Sequence, residues 1–317
     1  MRASIKRYQP VRIIQYLKEL YPQSLLLWLP PLILAYAATS YFVVHVFSEA
    51  NNVSLVWPLS GAALALVLLG GRRLLPAIWI SELVGNLMAD LGFLLSGALA
   101  LSVVIEVASC HYLLVKRGLF DNRLRGTQDF IGLAIAATIG VAAGGTSATL
   151  SFLCLGQPSK IPVIVSFLHW WQGDVLGIIL ITPLILVWRD WPRHWQGRKH
   201  IVRMSVLFFV AFLVGQIAYL GWLDDYFASH THAYWSLLFV TVAAVGFGRH
   251  GVLLIIVLTA AQALQGYLQN SGIFRDSSLQ DVWLFLVILT IVGIALAINV
   301  EESARREMEL RISQCVF

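Results

Sequence analysis

Charge is what this sequence has least of: Asp, Glu, Lys and Arg make up 12% of its 317 residues, where a soluble domain carries about a quarter. That scarcity excludes an ordinary soluble globule. Only three cysteines are present, Cys110, Cys154 and Cys315. They are too widely spaced for a zinc or iron–sulfur ligand set, and two lie in apolar segments where a reduced thiol packs as a small apolar group. A GxxxxGK[ST] phosphate loop, an HExxH pair, a GxSxG elbow and a soluble catalytic segment are all missing, so neither an enzymatic activity nor a cofactor is expected. His111 and His169 offer a haem two axial ligands only in principle, and two deep histidines alone do not make that case. The net charge of +5 is not gathered on a soluble basic face, which removes a nucleic-acid partner. About twenty mixed residues precede the first apolar run, so no cleavable signal is expected.

What the chain does have is hydrocarbon. Hydrophobic residues reach 58%, and apolar runs of helix-spanning length recur between the thirties and Val300. The expected fold is an all-α integral membrane bundle of about ten transmembrane helices: Leu25–Phe47, Val53–Gly70, Leu74–Leu95, Ala98–Leu114, Phe130–Leu153, Ile161–Trp188, Ser205–Leu223, Ala233–Phe247, Val252–Leu268 and Val282–Asn299. Alternating the connections leaves every Lys and Arg on one side except Lys160 and Arg275, the asymmetry expected of cytoplasmic loops. Both termini are then cytoplasmic. Residues 1–22 carry Val11, Ile14, Leu17 and Leu20 on one helical face, which predicts an amphipathic helix on the membrane surface. Residues 23–300 form the membrane domain. Past Asn299 the chain turns polar with good helix formers, so the last span is expected to continue through 301–317 as the start of a cytoplasmic signalling helix. The outer loops are short and leave no room for an external domain.

Ionisable groups inside spans are costly and usually face the bundle interior. Glu82, Asn86 and Asp90 recur every four residues, one stripe on a helix face. Counting about 1.5 Å per residue along antiparallel spans puts Glu82 and Asp174 at similar depth, Glu106 between levels, and His169 and Asn86 in the outer half. Glu82, Asn86, Glu106, His169, Trp171 and Asp174 are therefore the candidate ligand-binding residues. The structural alternative for each is an interhelical hydrogen bond. Asp90 and His111 are read as interfacial, and most tryptophans as a membrane-interface belt. Gly140 and Gly144, like Gly173 and Gly177, are small-xxx-small pairs that let helices approach. Pro58 suits a helix start, and Pro183 lies inside the sixth span, where it should kink the helix.

The run "VWPLSGAALALVLLGGRRLLPAIWISELVGNL" from Val56, followed by "WWQGDVLGIILITPLILVW" from Trp170, resembles the first-type membrane-associated sensor domain of bacteria, the MASE type 1 domain. The residues carrying the likeness are Trp57, Pro58, Gly61, Gly70, Pro76 and Asn86, then Trp171, Gly173, Asp174, Gly177 and Pro183. The resemblance implies a multi-pass sensory input module of the bacterial inner membrane, built from eight to ten helices. It implies as partner a cytoplasmic output, a histidine kinase or cyclic-di-GMP enzyme, reached in cis or in trans. The sequence ends at Phe317, where such an output would begin; a sensor half of a longer protein and a standalone module are both compatible with that. Other partners expected are the lipid bilayer, an unidentified small polar or ionic ligand, and a second copy in a homodimer. The alternatives are a transporter or channel, for which buried carboxylates beside Gly- and Pro-containing helices would line a path, and a structural scaffold.

Overall fold

Proline and glycine set the helix boundaries at the start of the bundle. The computed structural model of the protein describes residues 30–31, 33–43, 56–116, 120–156, 162–192, 197–223 and 232–315; the expected amphipathic helix of residues 1–22 lies outside them. Pro58 and Pro76 sit in the first turns of α2 (Pro58–Gly70) and α3 (Leu75–Met88), where the missing N–H costs nothing. Between the two helices Gly71 turns at φ 87°, a left-handed value suited to glycine, and donates its N–H to the Val67 carbonyl. The remaining helices are α1 (Ile33–Val43), α4 (Phe93–Lys116), α5 (Thr127–Leu155), α6 (Val163–Trp188), α7 (Arg198–Leu220), α8 (Trp235–Leu268) and α9 (Leu279–Cys315). Among the described residues there are nine α-helices and no strand.

The expected boundaries shift in two places. The third span was expected to reach Leu95, but α3 stops at Met88, the chain turns at Ala89–Gly92 with Asp90 at φ 59°, and α4 begins at Phe93. Polar Asn86 and Asp90 followed by Gly92 end the helix early. The eighth and ninth expected spans, Ala233–Phe247 and Val252–Leu268, join as the single hydrogen-bonded element α8, which is interrupted at Gly248 (φ 61°, ψ −154°). The Tyr219 hydroxyl pairs with Ser236, and the Tyr219 carbonyl lies where a Cβ on Gly266 would stand. In a straight helix residues 236 and 266 would be about 45 Å apart. The chain therefore doubles back at Gly248, and the two expected spans are antiparallel arms.

Six helices, α4 to α9, are long and apolar enough to cross a membrane; α1 and α2 are shorter apolar helices. α6 is the central element, with 67% of its apolar window buried against 28% for α7, and α2, α5, α8 and α9 all pack on it. It runs through Pro183 as one continuous helix. The α4–α5 pair meshes knob into notch. A Cβ on Gly140 would strike Cys110, and one on Gly144 would strike Glu106, so glycines four apart on α5 receive residues four apart on the antiparallel α4. Cys110 is fully buried and donates to the Ala136 carbonyl at 3.3 Å. The α5 start is held by Asp129, whose carboxylate accepts from the Asp121 and Gly126 N–H groups. Ser278 and Asp281 close a reciprocal cap on α9.

The α2–α3 turn, the α4–α5 and α6–α7 connections, the α8 turn and the polar part of α9 share one end of the bundle. That end collects every described Lys and Arg except Arg275. α9 then continues unbroken from the apolar bundle through Glu301 to Cys315. Its polar part carries Glu-to-Arg pairs four apart, Glu301–Arg305, Glu302–Arg306 and Glu307–Arg311, the spacing that supports an exposed helix.

Candidate functional site

The site is created by the way α2 lies on α6. The Trp57 N–H donates to the Gly173 carbonyl at 3.0 Å, and Thr182 Oγ1 donates to the Gly61 carbonyl at 2.9 Å. A Cβ on Gly177 would collide with the Trp57 carbonyl, and one on Gly61 with the Gly177 carbonyl. Only glycine at both positions permits this backbone approach. Its consequence is that Ser60, fully buried on α2, faces Asp174 on α6 and donates Oγ to Oδ1 at 2.9 Å.

Two more carboxyl groups converge there. Glu106 of α4 faces both Ser60 and Asp174, and the notch at Gly144 gives its side chain room. Glu82 of α3 accepts the Tyr36 hydroxyl from α1 and lies beside Trp57. Asp174, Glu82 and Glu106 are 3%, 3% and 2% exposed: three carboxyl groups, contributed by α3, α4 and α6, in one buried space. Glu106 Oε1 has no hydrogen-bond partner. Ionised, the three groups would present more acceptors than donors, so the arrangement suits a proton or another species that brings positive charge or hydrogen-bond donors. No three His, Cys, Asp or Glu side chains among the described residues converge as a metal-ion ligand set.

Replacing Tyr36 with Phe removes a donor from a buried carboxyl group while preserving ring packing. The expected loss is about 1–3 kcal/mol of stability, with no change in helix content. Thermal unfolding followed by tryptophan fluorescence checks it.

Of the six residues singled out from sequence, Glu82, Glu106 and Asp174 come together. Asn86 lies one turn further along α3, where its Nδ2 reaches toward the Ser96 carbonyl at 3.5 Å and ties α3 to α4. Among the described residues, His169 and Trp171 form no hydrogen bond with the carboxyl groups. His169 precedes Asp174 by five residues, about 140° around the helix, and its buried Nδ1 has no partner. Trp171 donates Nε1 to the Thr138 carbonyl of α5 at 3.0 Å and packs its ring 5.8 Å from Trp283 of α9. Depth counting grouped both with Asp174; helical phase turns His169 away, whereas Trp171, three residues from Asp174 and on the same side of the helix, is drawn to α5 and α9 by its own partners. Asp90 is exposed in the α3–α4 turn, and His111 accepts from Arg72 Nε at 3.3 Å at the basic end.

Sequence reasoning missed Ser60 and Tyr36 as members of the site. Ser60 was present inside "WPLSG", between Pro58 and Gly61, two residues that carry the family resemblance. Tyr36 carried no signal beyond being a hydroxyl in an apolar run.

A bundle of apolar helices that concentrates three carboxyl groups in one interior space is an integral membrane module with a buried polar site. The sequence matches the MASE1 family profile over residues 25–304, nearly its whole length, and the chain belongs to that family of membrane sensor domains. No curated protein and no solved structure matches it.

Proposed function

We propose that this chain is a sensory input module of a bacterial inner membrane, in which a small polar or ionic cue acts at Glu82, Glu106 and Asp174. The bundle crosses the bilayer ten times, counting the arms of α8 separately, with both termini in the cytoplasm, a reading that the positive-inside asymmetry of Lys and Arg supports. α9 carries the change outward to a cytoplasmic output, a histidine kinase or a cyclic-di-GMP enzyme. The observation that carries this reading is the buried cluster itself, with Glu106 Oε1 left unpartnered. A network that only tied helices together would satisfy its buried polar atoms; Glu106 Oε1 left unpartnered favours an exchangeable species, a proton among them.

A cue that binds one packing of α2, α3, α4 and α6 better than another shifts the balance between them. Because α9 packs on α6 and α8, a rearrangement of α6 reaches the exit helix through direct contact. The test is Asp174→Asn in the full chain, read as loss of the cue-driven change in α9. Flux of sodium, potassium or ammonium into proteoliposomes tests the transporter alternative: the sensory reading expects rates equal to empty vesicles, and carrier-level flux would overturn it.

A further inference from the structure

The basic end of the bundle holds a second polar construction, far along α9 from the carboxyl cluster. Gly248, at the turn of α8, is followed by Arg249, whose main-chain N–H donates to Glu301 Oε1 at 2.8 Å and whose Nε donates to Glu301 Oε2 at 2.7 Å. The same guanidinium sends Nη1 to the carbonyls of Arg123 and Leu124, each at 2.6 Å. One side chain therefore binds the α8 turn, the α4–α5 connection and α9 together. Arg249 and Glu301 side chains are 12% and 23% exposed, shielded enough for a charge-assisted fork to count.

The surroundings are built for this contact. A Cβ on Gly248 would collide with the Glu301 carboxylate, and its φ of 61° with ψ of −154° lies in a region essentially restricted to glycine. Leu124, which presents one of the carbonyls, is held at φ 49° and is 1% exposed. The other charged groups nearby are spoken for. Arg305 reaches Glu301 Oε2 at 3.4 Å from the next turn, Arg123 pairs with Asp190 at 3.4 Å, and His250 Nε2 meets the Asp190 carbonyl at 2.9 Å.

Glu301 marks the point where α9 leaves the core: Ala297 and Ile298 are fully buried, whereas Arg305 and Arg306 are exposed. One turn to either side of Glu301 stand Ala297 and Arg305. If α9 slid by a turn, about 5.4 Å, Arg249 would face a methyl group or a like charge. The pairing accepts one height of α9 and rejects its neighbours.

We propose that Arg249 and Glu301 form a releasable clamp that fixes the register of the exit helix against the bundle. α9 shifts in height or rotation only when the clamp opens. The clamp stands on its own geometry; its place as the point of release rests on the proposed sensory function, and the experiment below uses no cue, so either can fail without the other.

The test is amide hydrogen exchange of the full chain in lipid nanodiscs, comparing Glu301→Ala with Glu302→Ala, equal truncations at adjacent positions of which one is clamped. Peptides covering residues 248–250 and 299–306 are expected to exchange roughly tenfold faster in Glu301→Ala and within about twofold of the parent in Glu302→Ala. Equal rates in the two variants would overturn the clamp. Should Glu301→Ala also lose protection in α2 and α6, Arg249→Lys decides. A single ammonium cannot make the fork, so the same peptides exchange faster while α2 and α6 stay protected; parent-like exchange throughout would again overturn it.

Discussion

Gly177→Val is expected to abolish the folded bundle. A Cβ at this position meets the Trp57 carbonyl, a main-chain atom that no rotamer change can move aside. The opposite face of the contact is equally closed, since Gly61 lies against the Gly177 carbonyl and the two helices are hydrogen bonded on both sides of the approach, through Trp57 to Gly173 and Thr182 to Gly61. Overpacking commonly costs about 1–3 kcal/mol when side chains can yield. Here α2 must be displaced as a body, which also removes Ser60 from Asp174 and leaves a buried carboxyl group without its donor, a further cost of about 1–3 kcal/mol. Together these come to about 2–6 kcal/mol, a large fraction of the about 5–15 kcal/mol that holds a typical fold. The measurement is the monodisperse fraction after detergent extraction and gel filtration, expected to fall below about a tenth of the parent's. Gly132→Val provides the control: nothing lies within 4 Å of a Cβ there, and parent-like yield is expected.

The second large effect is functional. Asp174→Asn keeps the size of the side chain and an oxygen that can accept from Ser60, but removes one acidic group from a space that holds three. Relieving buried like charge is neutral or stabilising, so the variant should unfold at the same temperature as the parent or a higher one. Its response to the cue should nevertheless disappear. This combination, retained or increased stability with lost response, separates a functional carboxyl group from a structural one, because function maintained against stability is the mark of a working site. A residue that only ties α2 to α6 keeps that tie as Asn, since its oxygen still accepts from Ser60, and predicts an intact response.

How much of this was legible from the residues depends on which physical signal each element carries. The apolar runs announced α4 to α7 and α9 through length alone, and the two arms of α8 were separable because "GFGRHG" interrupts the hydrocarbon with an arginine and glycines. The early end of α3 was less visible, since "LMADLGFLL" has no proline and its turn depends on Asp90 adopting a left-handed backbone. Glu82, Glu106 and Asp174 could be assembled from depth, which follows from a constant rise per residue. Their partners could not. Depth says nothing about which way a helix faces, so His169 was grouped with a cluster it turns away from and Trp171 with one its indole does not bond, since it donates to Thr138 instead, while Ser60 and Tyr36, being uncharged, carried no cost that demanded explanation. The clamp was hidden for a different reason: Arg249 is one lone cation in a connection, and its match to Glu301 spans 52 residues, a pairing that only the folded chain displays.

The central claim is that a cue acting at the carboxyl cluster moves the exit helix. It is tested most directly by hydrogen exchange of residues 299–315 in nanodiscs, across pH steps and additions of sodium, potassium and ammonium, in the parent and in Asp174→Asn. The account predicts that at least one of these conditions changes exchange in the parent by roughly severalfold and that the variant stays flat under that same condition. A parent that is unresponsive throughout, or a variant that follows the parent step for step, would contradict it.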